Sequence, residues 1–159
     1  MNKVEYIKDQ VDRIISTIYN ENIKRNAYVH TYNVWMIANL YSKYQQLDSE
    51  LLQVAALLHD IAKYKDNCGS KEHALKSSFI AIDILKASTL FTLEEITLIS
   101  KMIVYHSDKT SIHHNPYIEA IKDCDLLARY FDEPNLVLND QLKHRLYYAL
   151  EKIHYTQKR

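Results

Sequence analysis

The sequence predicts an all-α protein, a single compact bundle of about seven helices filling residues 1–159, with its motif-bearing core near 22–131. Three observations predict this. One glycine and two prolines in 159 residues leave few places for the sharp turns that many short strands would need. Apolar residues recur at helical spacing along the chain. Several helix starts also carry a recognisable cap.

The helices fall near 2–20, 22–46, 49–64, 71–87, 93–107, 116–131 and 139–156. The first opens with Lys3, Glu5, Lys8, Asp9, Asp12 and Arg13 among apolar residues, an amphipathic pattern. The second carries a stripe of His30, Val34, Ile37, Tyr41 and Tyr44, which places His30 at the middle of the inward face. The third follows Asp48 as N-cap. Its segment from Leu51 to Leu58 is apolar nearly all round, as a helix at the centre of a bundle must be. Ser70 is the N-cap of the fourth, where His73 aligns with Ser77, Ile80 and Ile84. Thr92 and Glu95 form a capping box before the fifth, where His106 aligns with Ile99, Met102 and Ile103. Asn115 precedes Pro116 at the first position of the sixth, whose inward face is drawn by Tyr117, Ile121, Cys124, Ala128 and Phe131.

Composition closes off several function classes. The net charge is zero, so nothing points to a grip on polymeric nucleic acid or on an anionic membrane. The start lacks the apolar stretch of a secretion signal, and no apolar run reaches membrane-spanning length. Cys68 and Cys124 form no CxxC pair, and isolated thiols of this kind fit a reducing, cytoplasmic setting. With Gly69 as its only glycine, the chain cannot write a P-loop, a dinucleotide fingerprint or a nucleophile elbow. Phosphate chemistry must then use side chains or metal ions.

The chemistry-bearing residues begin with His59-Asp60 at the end of the buried third helix. Eight histidines and eleven aspartates give about half a His-Asp pair by chance, so the dipeptide needs support from its context. A desolvated carboxylate is costly unless paired or bound to metal, and that is the support. The bland alternative is a helix that has simply surfaced by residue 59. Inward histidines at His30, His73 and His106 weigh against independent accidents. Neutral imidazoles converging with carboxylates from neighbouring helices make a divalent metal site. On the sixth helix Asp123 and Asp125 lie about 200° apart, so only one can face that site. Asp125 lies about 70° from the centre of the inward stripe and Asp123 about 130°, which makes Asp125 the better ligand. Asp123 is read as solvated or as a partner behind the ligands.

The order His30, His59-Asp60, Asp125, each on its own helix, resembles the HD-domain superfamily of metal-dependent phosphohydrolases. The likeness runs from about Asn26 to Tyr130, on the segments VHTYNVWMIANLY, AALLHDIAKY and IKDCDLLARY. His73 in KEHALKSS and His106 in IVYHSDK resemble the extra histidines of subgroups that hold two metals. The resemblance implies one ion on His30, His59, Asp60 and Asp125, and a second sharing Asp60 and adding His73 and His106. It departs from the richest two-metal pattern because Ser107, not a second histidine, follows His106. His113-His114, in the polar loop before Asn115, reads as a solvated pair, and His144 and His154 as structural or exposed.

The activity so implied is cleavage of a phosphoester or phosphoanhydride in a small nucleotide-like molecule by metal-activated water, with one or two ions drawn from Mn, Fe, Co, Ni, Mg or Zn. Asp60 serves as ligand and orients the water. Lys63 follows Asp60 by three residues and reaches the same side, to bind substrate phosphate or to pair with Asp60. Lys109 and Arg129 are further candidates for phosphate binding. The partner expected is a small phosphorylated molecule, with no membrane and no polymeric nucleic acid. A di-iron oxidoreductase and a non-hydrolytic nucleotide sensor are the competing readings on the same residues.

Overall fold

Local caps set most of the helix starts in the computed structural model, which describes residues 2–66, 72–113, 115–133 and 135–154. Among these residues there are eight helices and no strand: α1 (Lys3–Ser16), α2 (Glu21–Gln45), α3 (Ser49–Leu58), α4 (Ile61–Lys65), α5 (His73–Ser88), α6 (Leu93–Tyr105), α7 (Pro116–Asp132) and α8 (Asp140–Lys152). Asp48 accepts from the Glu50 and Leu51 amides, and Asn115 accepts from the Tyr117 amide with Pro116 at the first helical position. Thr92 and Glu95 make both halves of the capping box. Ser70 lies outside the described residues, and α5 starts after Glu72 with no side-chain cap. No described helix is long and apolar enough to cross a membrane.

Lacking glycine at its helix ends, the chain uses other residues in the left-handed region. Gln46 (φ 54°) ends α2, and the β-branched Thr89 (φ 57°) ends α5, a conformation such a side chain rarely adopts.

One predicted helix is two. The segment near 49–64 breaks after Leu58: His59 is still helical (φ −58°, ψ −34°), but Asp60 leaves the helical region (φ −112°, ψ 14°) before α4 resumes. The Ala62 amide beyond the break is taken by the Ser77 hydroxyl of α5 at 3.0 Å. An unbroken helix would send adjacent side chains about 100° apart. The break brings them to the same side.

Two helices occupy the centre. In α3, Leu51, Leu52 and Val54–Leu58 are all buried. α7 is buried from Ala120 to Ala128 without a gap, so its core extends well beyond the stripe predicted for it, while Phe131 is 42% exposed and lies outside it. Around them pack α1, α2, α5 and α6, and α8 closes against α7 and α2. Burying each of Leu52, Leu57 and Leu58 contributes about 1.5–3 kcal/mol. On α2 the buried positions are Ala27, Thr31, Val34, Ala38, Tyr41 and Ser42. The inward stripe therefore runs through Thr31 rather than His30, which sits at its edge, 26% exposed and facing a cleft.

Candidate metal centre

Six side chains from different elements meet at that cleft. His30 comes from α2, His59 and Asp60 from the break between α3 and α4, and His73 from the first residue of α5. His106 caps the end of α6, and Asp125 comes from the middle of α7. His59 and His106 are placed by the same local device. Each is the first residue after its helix, and each ring Nδ1 lies 2.6 Å from the carbonyl three residues back, Ala56 and Ile103 respectively. A carbonyl only accepts, so Nδ1 carries the proton and Nε2 of the neutral ring offers a lone pair.

Those lone pairs point at one another and at carboxylates. The Nε2 atoms of His30 and His59 are 3.1 Å apart, and those of His73 and His106 are 3.3 Å apart. Asp60 lies between the two pairs. Its Oδ2 is 3.5 Å from His30 Nε2 and 3.4 Å from His59 Nε2, while its Oδ1 is 3.2 Å from His73 Nε2 and 3.3 Å from His106 Nε2. Asp125 Oδ1 is 3.1 Å from His30 Nε2 and 3.7 Å from His59 Nε2. Two ligand groups share Asp60, His30-His59-Asp60 and Asp60-His73-His106, and either can hold a metal ion.

The fit to a cation rests on one atom. Asp60 Oδ1 is buried and, among the described residues, accepts no hydrogen bond. A desolvated carboxylate oxygen without a donor is costly, and a cation between it and the imidazole lone pairs would satisfy it. Nitrogen and carboxylate donors of this kind suit a first-row divalent ion.

The electrostatics agree. Burial alone would raise the Asp60 pKa, but His59 and the other imidazoles outweigh it and hold it well below the usual carboxylate range. Burial likewise opposes the charge on Asp125, yet the Lys109 ammonium and the His30 and His59 rings hold its carboxyl well below that range. Burial disfavours charge on His59, whereas the Asp60 and Asp125 carboxylates lift its pKa above the ordinary value. Positive charge is what the cluster attracts. At His106 burial wins and the pKa falls.

The cleft above the cluster encloses about 680 Å³ and is lined in part by Tyr64, Ser107, Lys63 and Arg129. Lys63 is partly exposed at its lip, and its ammonium is 2.8 Å from Asp60 Oδ2. Arg129 is exposed at the rim of the cleft. Lys109 also borders the cleft but is buried, and its Nζ donates to Asp125 Oδ2 at 2.5 Å and to the His106 carbonyl at 3.1 Å. Its ammonium therefore points at Asp125 and the end of α6 rather than into open space.

Of the two readings of Asp123, the solvated one does not hold. The residue is buried, and accepts from the Tyr41 hydroxyl at 2.7 Å, Arg145 Nη1 at 2.7 Å and Lys152 Nζ at 2.9 Å. Sequence reasoning missed this network. The signal was present in α8, where Arg145 and Lys152 are seven residues apart and therefore share a face. His113 stays out of the cluster. It is half-buried, its ring tilted against Tyr105, and its Nδ1 accepts from the Asn115 amide. His114 and Cys68 lie outside the described residues, His144 and His154 are exposed, and Cys124 is buried.

Comparison with known proteins agrees with this geometry. The HD domain family matches residues 27–138, a span that includes all six cluster residues. A solved structure described as a predicted HD superfamily hydrolase, from an uncultured Thermotogales bacterium, is similar in fold. Its TM-score is 0.61 at 22% identity, covering 95% of this chain and 94% of that one. No curated protein matches the chain. Helices, ligand order and family match converge, and the chain belongs to the HD-domain family.

Proposed function

We propose that the chain is a metal-dependent phosphohydrolase that cleaves a phosphoester or phosphoanhydride bond in a small, nucleotide-like molecule. The observation that carries this is Asp60 Oδ1, buried and without a hydrogen bond among the described residues, between the Nε2 atoms of His73 and His106. His30, His59, Asp60 and Asp125 would hold one ion, and Asp60, His73 and His106 a second. A divalent ion bound there supplies Lewis-acid polarisation of phosphoryl oxygens and acidifies water, which is the chemistry hydrolysis requires.

The chain's own residues do the rest. Asp60 spans both groups, so its carboxylate fixes their separation and offers an acceptor for orienting water. Lys63 uses one ammonium proton on Asp60 and has two left for a phosphoryl oxygen at the cleft lip. Arg129 presents its guanidinium fork at the rim, suited to a second phosphate oxygen pair. A cleft of about 680 Å³ is of the size that takes a mononucleotide-sized ligand. Among the described residues no nucleophile elbow competes with water as the attacking group.

The deciding test is a panel of nucleotides and phosphoesters offered to purified protein with Mn²⁺, Co²⁺, Ni²⁺, Fe²⁺ and Mg²⁺ in turn. Phosphate release with at least one ion supports the reading. Tight nucleotide binding with no turnover under any ion favours a sensor instead. Because two ligand groups share Asp60, an oxidative role with two irons is the other reading. Iron-specific oxygen consumption would select it.

A further inference from the structure

The cluster is braced from a helix that supplies none of its ligands. α8 lies beyond the residues matched by the HD domain family, yet its side chains hold the segment that carries Lys109. Arg145 Nε donates to the Lys109 carbonyl at 2.9 Å, and its Nη2 to the Ser111 carbonyl at 3.3 Å. Gln141 Nε2 donates to the Thr110 carbonyl between them at 2.8 Å. Arg145 is itself fixed by Asp123 at 2.7 Å and Glu119 at 2.6 Å, both on α7, the helix that carries Asp125. One guanidinium thus ties the backbone of residue 109 to the helix of residue 125.

That tie has a consequence at the cluster. Lysine is a flexible four-carbon side chain, and where its ammonium rests depends on where its backbone is held. Here the ammonium lies on Asp125 Oδ2, leaving Oδ1 as the oxygen facing His30 and His59. It also donates to the carbonyl of His106, a residue of the other ligand group. Partners behind the ligands orient them and tune their affinity.

We propose that Arg145 is a positioning residue for the Asp125 side of the cluster, acting through the backbone of Lys109 to hold that lysine on Asp125 Oδ2. The inference rests on the cluster being a metal centre, as argued under Proposed function, but not on the identity of the reaction.

The test is Mn²⁺ affinity of the full chain, measured by titration calorimetry, with helical content followed by circular dichroism. Arg145→Lys keeps a cation for Asp123, so the fold is retained, but one ammonium cannot span two carbonyls and two carboxylates. It weakens Mn²⁺ binding by about tenfold, within the usual range for a partner behind the ligands. Lys109→Met, which leaves the α8 network in place, weakens binding by a similar factor, and Arg145→Lys adds nothing in that background. Lys152→Met removes another partner of Asp123 without touching residues 109–111 and leaves Mn²⁺ affinity unchanged.

Full Mn²⁺ affinity in Arg145→Lys or in Lys109→Met overturns the inference. So do losses that multiply in the double variant, or an equal loss in Lys152→Met, since either assigns Arg145 a general structural role. Wild-type protein that binds Mn²⁺ but hydrolyses no phosphoester defeats the hydrolase reading and leaves this one standing. Wild-type protein that binds none of Mn²⁺, Co²⁺, Ni²⁺, Fe²⁺ and Mg²⁺ defeats both.

Discussion

His59 and Asp60 are adjacent in the chain and aim at one point, with His59 Nε2 3.4 Å from Asp60 Oδ2. A continuous helix would turn them about 100° apart. The departure of Asp60 from helical geometry is therefore what makes the dipeptide usable as a unit. Its carboxylate then reaches both ligand groups, one through each oxygen.

A cation that satisfies those groups stabilises the fold in proportion to its occupancy. Mn²⁺ at a hundred times its dissociation constant should add about 2.7 kcal/mol. For a chain of this size that raises the melting temperature by roughly 5–11 °C. Thermal unfolding with and without Mn²⁺, after treatment with a chelator, checks this. Identical melting curves would contradict it.

On the proposed function, Lys63 separates substrate binding from metal binding. Its ammonium contacts Asp60 Oδ2 but lies outside the imidazole set. Lys63→Ala should raise KM about tenfold, the loss of about 1.4 kcal/mol of binding, while metal content stays at the wild-type level. Parallel loss of metal would place Lys63 among the supports of the cluster instead.

Much of the fold was legible because its signals are local. Asp48, Asn115-Pro116 and the Thr92-Glu95 box act within one helical turn, and each caps the helix predicted for it. The candidate ligands were legible too, since imidazoles on apolar faces stand out against their neighbours. What the sequence hid depends on tertiary packing. Ile61, Ala62 and Lys63 continue a helical pattern, so the break at Asp60 has no local signal; it is accompanied by Ser77 of α5 taking the Ala62 amide. The stripe that centres on His30 leaves out Ala27, Thr31, Ala38 and Ser42, small or polar residues that are all buried and that turn the inward face away from it. For Asp123 the sequence leaves two readings open, solvated or a partner behind the ligands, because its three partners lie on α2 and α8, far away in the chain.

The Glu119 site gives a pH prediction away from the ligands. Burial would raise its pKa, but Lys122, the His113 amide and Arg145 together lower it below the ordinary value. With the folded pKa depressed, the unfolded chain takes up the proton first as pH falls. The stability from Glu119 is thus fully present above the unfolded value of about pH 4.3 and is lost as pH falls through the folded value below it. Glu119→Gln should cost about 1–3 kcal/mol at pH 7, with the gap from wild type closing below about pH 4. Urea unfolding at a series of pH values measures it. A gap that widens on acidification would reverse the assignment.

Metal content of wild-type protein and Asp60→Ala, by elemental analysis after reconstitution with Mn²⁺, tests the central claim most directly. One or two ions per wild-type chain are expected, and almost none in Asp60→Ala, with helical content the same in both. Equal metal in the two proteins, or none in either, would contradict it.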